Sequence, residues 1–307
     1  MKFTFTYPMV NGPYDPALTT RAGLRRIALT AEAAGFDGIG FTDHPAPTHR
    51  WISAGGHDAL DPFAALAFVA AVTDRIRLIP NIVVLPYRNP FLVAKAVATV
   101  DALSDGRFTL AVGTGYLRGE YEALGVPLDE RNQRFDEAIE VLRGVWSTDD
   151  FAYDGSGFTA SGQTARPRPV QDPVPLWIGG NSARSRQRVA EVGQGWAPFP
   201  APAALSRTAR TPSLETADDL GVLLDDLWRR VEEAGRDRAE LDIAFGTPAG
   251  GSPGSDAFDA DAHVDGLAGL AARGVTWTGV GVPGDDLARA EDTIARYGEL
   301  VIAAFRQ

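Results

Sequence analysis

Short β-branched and aromatic runs alternate with longer amphipathic ones from one end of the chain to the other, which predicts strands taking turns with helices. Lys2 to Tyr7, Asp37 to Thr42, Ile76 to Val84, Arg107 to Val112, Pro175 to Gly179, Gly195 to Pro198, Leu241 to Gly246 and Val275 to Val282 read as eight strands. Asp61-Pro62 and Asn89-Pro90 each set a capping side chain before a proline at the first helical position, where the missing N–H costs nothing. Thr20 to Ala34 and Ala260 to Arg273 stop at Gly35 and Gly274, as helices do at a following glycine. Eight βα units in 307 residues predict one α/β domain over 1–307, a (β/α)8 TIM barrel with its active residues on the loops that follow the strands. A doubly wound open sheet is the runner-up, but the first strand is not followed by G-x-G-x-x-G.

Three connections exceed plain βα loops. Pro45 to Leu60 carries His49, Trp51 and His57. Ser147 to Asp172 holds two alternating runs around Asp154-Gly155, which predicts a hairpin insertion on the N-terminal side of the barrel. Phe199 to Asp218, rich in Pro, Ala and Arg, reads as a mobile excursion over the barrel mouth.

Composition narrows the chemistry. The absence of cysteine excludes disulfides, thiolate nucleophiles and iron–sulfur clusters, so redox chemistry needs an organic cofactor. A formal net charge of -11 argues against nucleic acid and anionic membranes, although backbone amides can still bind a small anion. No run approaches about 18 uncharged apolar residues and no charged n-region precedes an apolar h-region, so the expectation is a cytoplasmic protein that does not enter a membrane.

Four stretches could carry chemistry. Asp37 to Thr42 is an apolar run that breaks into Asp43-His44, which puts an imidazole at a strand tip, either as a cofactor-side group or as an ordinary core or surface histidine. In the third strand, Pro80-Asn81-Ile82 marks either a bulge or the strand's end. Gly113-Thr114-Gly115-Tyr116 would let backbone approach a flat ligand, as would many glycine turns without one. Trp177-Ile178-Gly179-Gly180-Asn181-Ser182 leads into an Arg-rich helix, either as a phosphate turn or as a tight turn with an ordinary cap. His44, His49 and His57 lack metal-ligand spacing, and neither a G-x-S-x-G elbow nor a Walker lysine occurs.

Taken in order, Ala33-Ala34-Gly35-Phe36-Asp37, Thr42-Asp43-His44, Val84-Leu85-Pro86-Tyr87-Arg88-Asn89-Pro90, Ala102-Leu103-Ser104-Asp105-Gly106-Arg107 and Gly113-Thr114-Gly115-Tyr116 resemble the bacterial luciferase-like monooxygenase superfamily. So do Glu122-Ala123-Leu124-Gly125-Val126-Pro127, Arg134-Phe135-Asp136-Glu137 and Trp177-Ile178-Gly179-Gly180; the chain is most similar to the branch of F420-dependent oxidoreductases. The resemblance implies a (β/α)8 barrel with an insertion after the fourth βα unit and a deazaflavin or flavin in its mouth. It implies His44 beside the reactive ring and a non-proline cis peptide at Asn81–Ile82 or one bond away. It puts the cofactor phosphate at Gly113, Thr114 and Gly115 and at Ile178, Gly179, Gly180 and Asn181. Trp51 and Tyr116 would line the substrate side, and Arg118 would meet an acidic group. The chain departs from the sugar-phosphate dehydrogenases of the superfamily, with Tyr116 in place of their glutamate and Thr48 in place of their tryptophan. The expected activity is hydride transfer between coenzyme F420 and a small molecule. The alternatives are an FMN-dependent monooxygenase and a barrel that binds without turnover. The resemblance makes a homodimer possible, since dimers are common in the superfamily; the alanine-rich helices from Phe63 and Leu92 could offer it an apolar face or could pack on the barrel.

Overall fold

A computed structural model describes residues 1–10, 12–203, 206–207 and 211–306. Its strands are β1 (Lys2–Thr6), β2 (Gly38–Gly40), β3 (Arg77–Leu78), β4 (Val83–Val84), β5 (Leu110–Gly113), β6 (Phe151–Asp154), β7 (Thr159–Gln163), β8 (Leu176–Gly179), β9 (Gly195–Ala197), β10 (Asp242–Ile243) and β11 (Trp277–Val280). Between them lie α1 (Arg21–Ala33), α2 (His49–Ser53), α3 (Pro62–Ala70), α4 (Pro90–Leu103), α5 (Arg118–Ala123) and α6 (Arg131–Ser147), then α7 (Ala183–Val192), α8 (Ala217–Glu233), α9 (Ala260–Ala271) and α10 (Leu287–Tyr297).

Parallel pairing runs β11-β1-β2-β3 in one sheet and β10-β9-β8-β5-β4 in the other. Single parallel bridges join the two sheets at both seams, Leu78 to Phe108 and Ala244 to Trp277, so all eight sequence-predicted strands take part in a (β/α)8 barrel. The third of them is not continuous. Pro80 has no N–H to give, yet Ile79 N and Asn81 N still donate to Ile39 O and Phe41 O on the β2 side, at 2.9 and 2.8 Å. On the other side pairing passes from Leu78–Phe108 to Val83–Val112, so this strand takes five steps where its neighbour takes four. One extra residue is a bulge, which decides between the two sequence readings, and the Asn81–Ile82 peptide within it is cis.

Helix caps follow the sequence reading. Asp61 Oδ1 accepts from Phe63 N and Ala64 N, Asn89 Oδ1 accepts from Phe91 N, and Gly35 and Gly274 take positive φ beyond α1 and α9. The expected hairpin is β6–β7; it lies along α6, where Glu137 accepts from Ser156 N and Gly157 N. Of the excursion after β9, residues 204–205 and 208–210 fall outside the described residues. Its base is pinned by paired Ala201 and Leu214, both fully buried.

Inside the barrel, alternate positions sort by size. The lower layer contains Ala111, Trp177, Ala244 and Trp277, with the two indoles edge to face at 5.2 Å. Two residues further along the same strands stand Gly113, Gly179, Gly246 and Gly279. Large rings therefore fill the bottom while these four strands contribute no side chain at the top, which leaves a cavity at the C-terminal ends of the strands. Ile82, turned inward by the bulge, occupies part of the space so freed: a Cβ on Gly113 or Gly179 would lie 2.0 or 2.9 Å from its Cδ1.

Gly40 lies on the strand that leads to His44, and a Cβ there would sit 2.3 Å from the Ile79 carbonyl oxygen. Backbone cannot yield as a side chain can, so Gly40→Ala is expected to destabilise by about 1–3 kcal/mol or more. Gly221 in α8 has nothing within 4 Å of that position, and Gly221→Ala is expected to stabilise by about 0.5–1 kcal/mol. Denaturant melts of both variants check the contrast; an unchanged midpoint for Gly40→Ala would contradict this packing.

Candidate active site

The cavity measures about 590 Å³ and is walled by the loops after most of the strands. Its size suits a cofactor together with a small ligand. Beyond β2 the chain runs on through Phe41 and Thr42 to Asp43, whose buried carboxylate accepts from Val84 N at 2.9 Å and Arg88 Nη2 at 2.7 Å. Burial pushes the Asp43 carboxyl up, against the pull of the Arg88 guanidinium. These bonds fix the next residue, His44, on the cavity wall.

His44 Nδ1 lies 3.2 Å from Glu120 Oε2. Glu120, in the first turn of α5, is fully buried. It also accepts from the Tyr87 hydroxyl at 3.1 Å and from Ala46 N at 3.2 Å. The other imidazole nitrogen, Nε2, has no protein partner among the described residues. Trp51 packs on His44 at 4.6 Å between ring centroids, and His57 meets it edge-on at 5.0 Å. Burial pulls the His57 imidazole down, which favours its neutral form. Thr48 caps the short helix that carries Trp51, with Oγ1 accepting from Trp51 N at 3.3 Å. His49 faces outward to Ser53.

Most of the sequence-predicted residues meet at this cavity. His44, Asn81, Ile82, Gly113, Thr114, Gly115, Tyr116, Gly179 and Gly180 all line it. Tyr121 donates to the Thr114 carbonyl, which ties the glycine turn to α5. Burial raises the Tyr116 phenol, so it stays protonated. Ser182 caps α7 by accepting from Ser185 N at 3.1 Å, and Ser185 reaches the cavity beside Gly180, whose φ is 98°.

Four predicted residues lie outside the cavity lining: Ile178, Asn181, Arg118 and Trp51, the last placed beside it by its packing on His44. Ile178 is fully buried with the residues that face the helices, because it alternates with the inward Trp177 and Gly179, so its side chain takes no part. Asn181 is also fully buried, and its amide is engaged by the following loop: Nδ2 donates to Phe199 O at 2.9 Å and Oδ1 accepts from Phe199 N at 3.0 Å. It holds a loop and has no group left for a phosphate. Arg118 begins α5 as an exposed side chain outside the cavity lining.

No role for Glu120 or Tyr87 follows from the sequence patterns. Glu120 had one local signal, a carboxylate beside Tyr121 in the short segment after the fourth-strand glycines. The partner that gives it meaning is 76 residues away.

The chain matches the family model described as luciferase-like monooxygenase over residues 1–299. It is 31% identical over 245 residues to an uncharacterized protein of Mycobacterium tuberculosis, covering 80% of this chain and 76% of that one. An FMNH(2)-dependent dimethylsulfone monooxygenase of Pseudomonas putida is 30% identical over 176 residues, 56% of this chain and 47% of its own. Among solved structures, the coenzyme F420 dependent tetrahydromethanopterin reductase of Methanopyrus kandleri shares the fold, with TM-score 0.73 over 99% of each chain at 19% identity.

Removing Arg88 would leave Asp43 buried without its cation, and breaking such a pair costs about 3–5 kcal/mol. Arg88→Ala is expected to show a loss of that order at pH 8. With the guanidinium gone, the raised carboxyl escapes the penalty by taking a proton. A group whose folded pKa lies above its unfolded value destabilises increasingly as pH rises past the unfolded value, so the defect should shrink toward pH 5. Urea melts across that range check it, and a defect that grows on acidification would contradict the assignment.

Proposed function

Because the chain belongs to the luciferase-like monooxygenase family, we propose that it is an oxidoreductase transferring a hydride between the deazaflavin coenzyme F420 and a small organic substrate. The observation that carries this reading is a cavity with an apolar floor of Ile79, Ile82, Ala111 and Trp177 and, on its wall, His44, whose Nε2 has no protein partner among the described residues. A flat ring system needs such a floor, and the residues present fit it. Beside the floor, Gly179 and Gly180 lead into α7, where backbone amides and the Ser185 hydroxyl suit a phosphate without any cation. A Cβ at Gly180 would lie 3.0 Å from Ser185 Oγ, so this cradle admits only glycine comfortably.

In this reading Asn81 and Ile82 support the ring, Gly113, Thr114 and Gly115 flank it, and Gly179 and Gly180 hold the phosphate end. When bound, the deazaflavin supplies a carbon centre that takes or gives a hydride. The protein supplies orientation and electrostatics. His44 faces the substrate and exchanges a proton with it through Nε2, while Trp51, His57 and Tyr116 exclude water around that nitrogen and shape the substrate's seat. One chain of 1–307, working in the cytoplasm and pairing as a homodimer, completes the proposal.

A second reading, a monooxygenase using reduced FMN and oxygen, is supported by the likeness to the Pseudomonas putida enzyme. Fluorescence titration of the purified protein with oxidised F420 and with FMN tests both, and oxygen uptake with reduced FMN separates them. Binding of F420 without flavin-driven oxygen uptake is the expected result; binding of neither cofactor overturns both readings. His44→Asn should lower kcat by roughly 10²–10⁴, the usual reach of general acid–base catalysis, with the cofactor Kd nearly unchanged. Equal loss of cofactor affinity would assign His44 to the binding wall instead.

A further inference from the structure

We propose that Glu120 is a positioning residue that fixes the tautomer of His44, with the proton on Nδ1 and Nε2 presented to the cavity as a bare acceptor. Only the kinetic consequence of this assignment rests on the hydride-transfer reading.

The argument is a count of donors. Glu120 is fully buried, and as a carboxylate it can only accept. Ala46 N, which can only donate, lies 3.2 Å from Oε1. The Tyr87 hydroxyl lies 3.1 Å from Oε2, and its own burial, with Glu120 beside it, keeps the phenol protonated and therefore a donor. The remaining neighbour of Oε2 is His44 Nδ1 at 3.2 Å. If the imidazole carried its proton on Nε2, the Nδ1 lone pair would point at a carboxylate oxygen in a dry site, where an unmade hydrogen bond costs about 1–3 kcal/mol. With the proton on Nδ1 every donor is matched, so the second tautomer is suppressed by roughly one to two orders of magnitude.

Other neighbours do not compete for that bond. Asp43, next in the chain, is engaged by Val84 N and Arg88. His57 gives its Nδ1 to the Asp58 carbonyl at 3.0 Å and meets His44 through a ring edge. Trp51 contributes a face to the imidazole. The chemical consequence is a site built to receive a proton. A ligand O–H or N–H donates to Nε2, and when that proton transfers the imidazolium lies against the Glu120 carboxylate, which stabilises the new charge. The site therefore favours substrates that carry a hydroxyl or amine at the reacting carbon over those that offer only a carbonyl acceptor.

Nitrogen NMR of isotope-labelled histidine reads the tautomer directly, and the chain has only 4 histidines. Spectra at pH 8, above the range near 6.5 where a free imidazole titrates, with the His44 signal assigned by its loss in His44→Asn, should show protonated Nδ1. An Nε2-protonated form, or an even mixture, overturns the proposal without any variant being needed. In Glu120→Gln, Ala46 N still requires an oxygen opposite it. The new amide NH₂ is therefore turned to Nδ1 and should flip His44 to the Nε2–H form, with kcat down by about 100-fold and the cofactor Kd unmoved. Retention of the Nδ1–H form in that variant overturns the proposal. A wild-type Nδ1–H signal in a protein that binds no deazaflavin would leave the tautomer assigned and remove the functional reading alone.

Discussion

Two buried carboxylates, one beside His44 in the chain and one against its ring, constrain the loops after the second, third and fourth barrel strands. A buried carboxylate must be met by donors or it shifts to its neutral form, and here the donors come from different strands. Asp43, after the second strand, takes its bonds from Val84 and Arg88 at the third. Glu120, after the fourth, takes its bonds from Ala46 after the second and Tyr87 after the third. Three consecutive βα loops are thus cross-linked through two acidic groups, in addition to the packing of Tyr87 on Tyr121. The arrangement specifies geometry more than it adds stability, since the attraction gained is offset by the cost of drying the charges. That is what a site needs which must hold an imidazole to within a fraction of an ångström.

The same logic of compensation runs through the barrel's interior. Trp177 and Trp277 bring large rings into the lower layer, and Gly195 makes room for the first of them, since a Cβ there would lie 2.3 Å from Trp177 Cδ1. One register step up, glycine recurs on β5, β8 and β11, and the volume missing there is the volume of the cavity. The extra residue in the third strand turns Ile82 into that space and gives the cavity a firm apolar floor.

Much of this was legible in the chain. Alternation located all eight barrel strands, and the proline-bearing caps of α3 and α4 and the glycine stops of α1 and α9 are local chemistry that tertiary packing had no reason to override. Legibility ended where a residue's purpose depends on something distant. Gly113 and Gly179 invite a ligand when read locally, yet their immediate neighbour is Ile82. Asn181 has a good phosphate-binding type at a good position, yet the loop after β9 claims its amide. Arg118 points to solvent because α5 turns its first residue outward and its third, Glu120, inward. The period-2 spacing of Ala111 and Gly113, Trp177 and Gly179, and Trp277 and Gly279 was available in the sequence. It would have announced a large-below, small-above interior.

The charge balance gains a structural meaning from the cavity. No Arg or Lys lines it among the described residues; Arg88 is committed to Asp43 and Asp61, and Arg186 to Asp226 and the Asn181 carbonyl. A chain with 40 acidic and 29 basic residues repels anions at long range. In the proposed binding mode an anionic group would meet short-range neutral donors, the amides at the start of α7 and the Ser185 hydroxyl. Such contacts fall off within a hydrogen-bond length and are screened little by salt, whereas a cationic cluster would attract any polyanion nearby. In that binding mode recognition would rest on shape, on the apolar floor and on the His44 imidazole, while the surplus of acidic residues disfavours polyanions at long range.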